Sequence, residues 1–184
     1  MGKLLSLVMA LALAAWGAAP AWAEDRPDAG VKGLWIKATN LPAEAGLEDF
    51  TQEDDEPYFI YSFGNGDDGP DVTIPVGRQA QSEMAERLAK LDKEALKENI
   101  GNETFFESIK DLTFVQSPEL SEKFTYPCQL ASYLDSDMGF YSTYLFIQTD
   151  AYLFTVNVNR SIKAKKYSDT DVMSWLMNME LVEQ

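Results

Sequence analysis

Histidine is absent from the 184 residues of this chain. That absence removes the Ser-His-Asp triad, the Cys-His dyad, imidazole acid–base catalysis and every histidine metal site. Cysteine is nearly absent as well: Cys128 stands alone, so no disulfide can form within the chain. A lone thiol either pairs with a second molecule or stays free. A small buried strand residue is the simpler reading of Cys128, because free cysteine is among the most buried residue types. Positive charge is scarce, with 15 Lys plus Arg against 30 Asp plus Glu and a net charge of −15. Such a chain offers no electrostatic footprint for nucleic acid and is repelled by anionic lipid. Long apolar runs are also lacking. The run from Leu4 to Ala15 falls short of the roughly 20 residues that span a bilayer, and no later run reaches that length, so no stable membrane insertion is expected.

What is present begins with a secretory leader pattern. Lys3 supplies the positive start, Leu4 to Ala15 the apolar centre, and Ala21-Trp-Ala23 the small-residue cleavage site. Residues 1–23 are therefore expected to be a signal peptide. Residues 24–184 then form one domain, delivered to a bacterial periplasm or secreted. No cysteine lies near the cleavage point, which disfavours lipid attachment.

The densest aromatic and β-branched stretch runs from Tyr141 to Asn159 and reads as a β-hairpin. An even loop centred on Thr149 and Asp150 would pair Ile147 with Tyr152, Leu145 with Phe154, Thr143 with Val156 and Tyr141 with Val158, leaving one face almost wholly apolar. Ahead of it, residues 33–40 offer a short strand. The acidic segment from Pro42 to Pro57 reads as a solvated loop. Tyr58–Phe63 and Asp71–Val76 form a second hairpin around a Gly- and Asp-rich turn, with Pro75 placing its strand at an edge or near its end. Across residues 79–100 the period changes to that of one long helix, with Met84, Leu88, Leu91 and Ala95 along its buried stripe and Gly101 as its stop. Glu83 with Arg87 and Glu86 with Lys90 are spaced as helical ion pairs. Strands are expected at Leu112–Gln116 and Pro127–Leu134. Ser168 begins a terminal helix whose stripe is Val172, Trp175, Leu176 and Met179.

The fold class is thus α+β: an antiparallel sheet of about six to seven strands with a long central helix and a C-terminal helix packed on it. This order of elements resembles the Mog1/PsbP-like fold, including the DcrB-like exported proteins. The resemblance implies a non-catalytic accessory or binding module and supplies no site residues.

Four features compete as functional sites. Asp67, Asp68 and Asp71 on a tight turn, with Asp135 and Asp137 as a second group, have the oxygen chemistry for Ca²⁺, although ordinary turns need the same residues. The basic run Arg160, Lys163, Lys165 and Lys166 stands out in an acidic chain and could receive an acidic ligand or partner; its plainer reading is a solvated linker facing the acidic segment at 48–56. Tyr144, on the less apolar face of the hairpin with Thr155 and Asn157, is a further contact candidate. A two-carboxylate hydrolase needs no histidine but has no motif here, nor does a Ser-Lys pair such as Ser161 with Lys163. The expected activity is binding, through an unidentified protein of the cell envelope, with no enzyme chemistry and no cofactor. The alternatives are a small-ligand or calcium binder and a carboxylate-based hydrolase.

Overall fold

The computed structural model describes residues 33–51, 57–66, 69–100 and 109–183. The leader pattern, the acidic residues 52–56, Asp67, Asp68 and the stretch 101–108 lie outside the described residues. The strands are β1 (Leu34–Lys37), β2 (Gly46–Thr51), β3 (Pro57–Phe63), β4 (Val72–Ala80), β5 (Ile109–Gln116), β6 (Cys128–Asp135), β7 (Phe140–Gln148), β8 (Tyr152–Ser161) and β9 (Glu180–Glu183). The helices, in chain order, are α1 (Glu83–Ala89), α2 (Lys93–Ile100), α3 (Pro118–Phe124) and α4 (Asp169–Met177). Seven strands form one antiparallel sheet in the order β2-β3-β4-β8-β7-β6-β5, and β1 pairs with β9 in a separate ribbon. The α+β class and the antiparallel sheet are as expected. Among the described residues, no helix is long and apolar enough to cross a membrane.

The β7–β8 hairpin lies at the centre of the sheet. Its loop is even, but the turn is Asp150-Ala151, one residue later than predicted, so the pairs are Ile147–Phe154, Leu145–Val156, Thr143–Val158 and Tyr141–Arg160. Thr149 closes this turn: its amide donates to the Tyr152 carbonyl at 2.9 Å, and its hydroxyl accepts from the Tyr152 amide at 3.0 Å. Moving the centre by one residue changes every partner by two, and the period of a strand is also two. Each side chain therefore keeps the face foreseen for it.

Both faces of this hairpin are buried. Leu145, Ile147, Phe154, Val156 and Val158 join the larger core with Trp35, Ile74, Val76, Leu120, Trp175 and Leu176, under α3, α4 and the β1–β9 ribbon. On the other face Phe146 and Leu153 pack with Phe114, Ala131, Ala85, Leu88, Ala95 and Leu96, under α1 and α2. The two helical stripes therefore divide between the two faces and do not share the richer one.

The long central helix is two short ones. Lys90 ends α1, Leu91 turns left-handed at φ 59°, and Asp92 starts α2 by accepting the amides of Glu94 (2.9 Å) and Ala95 (3.2 Å) on Oδ1. Arg87 reaches across this break to Asp92 and Glu98, each at 2.8 Å, and makes none of the expected contact with Glu83. The hydrogen bonds that its guanidinium donates to the Glu98 and Asp92 carboxylates hold it more firmly protonated than usual.

Further corrections concern composition read without tertiary context. Residues 46–51 are not loop: they pair with β3 from Gly46–Ser62 to Thr51–Pro57. Backbone pairing with a neighbouring strand outweighs the low strand propensity of an acidic edge. Pro75 is interior, between β3 and β8. The β4–β8 partners skip Ile74 and Pro75, running from Thr73–Asn159 to Val76–Val156, as a missing N–H requires. Ser117-Pro118, read as a strand end, also opens α3, with proline in the first turn where no helical N–H is needed. Its last cap, Thr125, sits left-handed at φ 61°, a rare state for a β-branched residue.

Thr125→Gly is expected to raise stability by about 1 kcal/mol in urea unfolding, by releasing a left-handed strain of that order. Leu145→Ala, at a fully buried position, is expected to lower it by roughly 2–5 kcal/mol in the same assay. A loss below about 1 kcal/mol would contradict the central placement of β7.

Candidate functional site

Arg160, the penultimate residue of β8, is only 8% exposed. Its Nη1 donates to the Tyr167 carbonyl at 2.7 Å, its Nη2 donates to the Asp169 carboxylate, and its guanidinium lies 5.1 Å from the Tyr141 ring. The side chain ties the end of β8 to the start of α4 and is not available as a contact for a ligand. Asp169 and Asp171 follow Ser168, which forms the N-cap and a reciprocal capping box with Asp171. Hydrogen bonds from Ser168 hold the Asp171 carboxyl below its ordinary value.

Lys163, Lys165 and Lys166 are exposed on the loop that follows. Lys166 lies 3.4 Å from Glu44 and 5.1 Å from the Tyr167 ring. Its anionic neighbour thus precedes the acidic segment that the plainer reading invoked.

Beside these lysines the structure gathers three apolar side chains that are close to half exposed: Met138 (46%), Tyr141 (44%) and Ile162 (44%). The turn between β6 and β7 builds this tip. Asp135 is buried and accepts the amides of Asp137 (3.1 Å) and Met138 (2.9 Å) on Oδ1, while Gly139 at φ 73° reverses the chain. The Ile162 amide then donates to the Gly139 carbonyl at 2.9 Å, joining the β8 exit to this turn. Tyr141 pairs with Arg160 and Phe140 with Ser161 across the strands, so the three apolar residues all sit at the end of the sheet where the β6–β7 turn meets the β8 exit. Asp135 is therefore occupied in shaping the turn. Met138 and Ile162 were not singled out from sequence; the available signal was an apolar residue inside a polar turn, where no strand alternation can bury it.

Tyr144 is not part of this surface. It lies on the opposite face of β7, stacked at 6.1 Å on Tyr133 and 5.9 Å on Phe146, with the Asn157 amide beside its hydroxyl. Burial pushes its hydroxyl far above the ordinary 10.0, and the neighbouring Tyr133 adds to the shift. Near it, Ser142 donates to Asn159 at 2.7 Å. Tyr144 and the basic run are separated by the thickness of the sheet.

Asp71 faces its own turn. A Cβ added at Gly64 would fall 2.5 Å from the Asp71 Cβ, and one at Gly66 would fall 3.0 Å from Oδ1. The Asp71 carbonyl accepts the Ser161 amide at 2.9 Å, joining this turn to the end of β8. Among the described residues, no group of three or more acidic or thiol side chains is placed to hold a metal ion. Cys128 is buried at the start of β6, its thiol 3.4 Å from the Tyr126 carbonyl, and burial pushes it up to about 12. It is a neutral packing residue at physiological pH.

An open groove of about 390 Å³ lies elsewhere, between the end of α3 (Lys123, Phe124, Thr125, Tyr126) and the start of β9 (Met179, Glu180, Leu181). No protein-family model and no curated protein matches this chain.

Burial alone raises Tyr58 and is the first cause of the raised values at Tyr61, Tyr133 and Tyr144. A group raised in the folded state contributes stability below its unfolded value and loses it as pH climbs toward the folded one. Stability is therefore expected to fall above pH 10, where the unfolded chain ionises these phenols and the folded chain does not. Tyrosinate absorbance should show Tyr58, Tyr61, Tyr133 and Tyr144, among the eight tyrosines, ionising only together with loss of the circular dichroism signal. Smooth titration of all eight in the folded protein would contradict the burial of Tyr133 and Tyr144.

Proposed function

We propose that the protein is a non-catalytic binding or accessory module of the bacterial cell envelope, exported by residues 1–23 and acting through a protein partner. The observation that carries this reading is the tip formed by Met138, Tyr141 and Ile162 beside Lys163, Lys165 and Lys166. Apolar anchors with a charged rim are the composition of a protein contact surface, where the anchors contribute most of the affinity and the rim tunes rate and specificity. The most distinctive polar groups at this end already have structural work: Arg160 joins β8 to α4, and Asp135 shapes the turn that presents Met138. The resemblance to Mog1/PsbP-like proteins leans the same way, toward an accessory role.

The basic run thus contributes in a narrower form than its sequence suggested. Its three lysines border the surface, and its arginine holds the supporting loop in place. The leader reading adds the compartment, and sequencing the N-terminus of the protein recovered from cells should begin near Glu24.

The contact surface is tested by affinity capture from the native envelope with the wild-type chain and with the combined variant Met138→Ser, Tyr141→Ser, Ile162→Ser. Each of these side chains is close to half exposed, so the variant should keep its melting temperature within a few degrees. Wild-type protein should retain a partner that the variant loses, with affinity falling at least about 30-fold if two anchors each contribute roughly 1 kcal/mol or more. Replacing Lys163, Lys165 and Lys166 by Gln should weaken the salt dependence of that binding while sparing most of the affinity. Equal capture by the wild-type and tip-variant chains would remove the tip from the function.

A further inference from the structure

Beyond the tip, a second surface lies along β9. Its ladder partner among the described residues is β1, in the register Leu34–Glu183, Trp35–Val182, Ile36–Leu181 and Lys37–Glu180. Among the described residues the second edge of β9 carries no ladder, and the groove bounded by Lys123–Tyr126 opens against Met179, Glu180 and Leu181. We propose that this edge is a strand-addition site that accepts an extended segment of another protein with the pattern basic–apolar–apolar–basic.

The pattern follows from the residues. A strand edge recognises an extended backbone through main-chain hydrogen bonds, and specificity comes from the side chains opposite. Here those are Glu180, Leu181, Val182 and Glu183, with both glutamates exposed and the two apolar residues half-buried. A second copy of this chain is a poor occupant. Antiparallel pairing of β9 with itself sets Glu180 against Glu183, a like-charge contact across the strands, between two molecules each of net charge −15. β1 shows the favourable solution on the edge already filled, where Lys37 stands opposite Glu180. An incoming strand with Lys or Arg at both ends and two strand-forming residues between repeats that solution. Thr125, left-handed at φ 61°, shapes the far wall of the groove, and Lys123 lies 6.0 Å over the Phe124 ring beside it. This site is independent of the tip and stands or falls without it.

The test uses the full chain and blocked six-residue peptides with the cores Lys-Val-Ile-Lys and Glu-Val-Ile-Glu, followed by amide chemical shifts and hydrogen exchange. The basic peptide should bind about tenfold more tightly than the acidic one, the discrimination expected of two cross-strand charge pairs. Amides of residues 180–183 should shift or gain protection, those of 34–37 should keep theirs, and N-methylation along one edge of the peptide should abolish binding. Glu183→Lys alone should narrow the preference, and with Glu180→Lys it should reverse. The tip variant should bind the basic peptide as the wild-type chain does. Equal affinity for the two peptides, protection at residues 138–141 in place of 180–183, or a homodimer through β9 that the basic peptide does not dissociate would each overturn the proposal.

Discussion

The structure depends on one constraint: β7 and β8 carry buried apolar side chains on both faces. A hairpin with a single apolar face needs one cover; this one needs two, and each strand also needs a neighbour along its outer edge. Residues 83–100 supply one cover and residues 118–124 and 169–179 the other. β4 and β6 pair with the outer edges of β8 and β7. Side-chain burial and backbone pairing are thus met together, which is why the hairpin occupies the middle of a seven-stranded sheet.

The same constraint explains where polarity is allowed. Away from α1 and α2, the second face carries Tyr133, Tyr144, Ser142 and Asn159, whose hydroxyls and amides satisfy one another at the sheet surface. At the end of β8 the chain must leave the sheet and cross to the side of α4, and Arg160 supplies several of the hydrogen bonds that this crossing needs. Its planar, always charged guanidinium suits a buried position better than lysine would, since it can bond a carbonyl and a carboxylate while stacking near a ring. The lysines that follow are exposed.

Much of this was legible in the sequence because it depends on period. The alternation in residues 141–159 fixes which side chains share a face, and a turn displaced by one position leaves that assignment intact. The stripes of the helical segments were readable for the same reason. What escaped depended on partners distant in sequence or on a signal with two meanings. β2 is a strand because β3 offers it a ladder, not because Gly-Leu-Glu-Asp-Phe-Thr favours extension. Ser-Pro marks both the end of β5 and the start of α3. The break at Leu91-Asp92 had a legible clue, an aspartate able to cap α2, but the periodic apolar stripe ran straight through it. The tip was invisible to periodicity altogether, because it forms where Ile162 of the β8 exit meets Gly139 of the β6–β7 turn.

The pairing of β1 with β9 joins residues near opposite ends of the chain. Trp35 packs edge-on to Phe59 at 5.0 Å and to Phe154 at 6.1 Å, and Arg78 anchors its strand by donating to the Leu34 carbonyl at 2.7 Å. On the other side, Thr39 and Asn40 hydrogen-bond Asn178, just ahead of β9. A chain synthesised only as far as β8 has the first half of this clasp and not the second. All seven strands of the large sheet precede β9 in sequence, so that sheet can form before the ribbon closes, and deleting residues 180–183 would remove the ladder partner of β1. Closure by β9 therefore joins the two separated segments of the ribbon only once the sheet between them has been made.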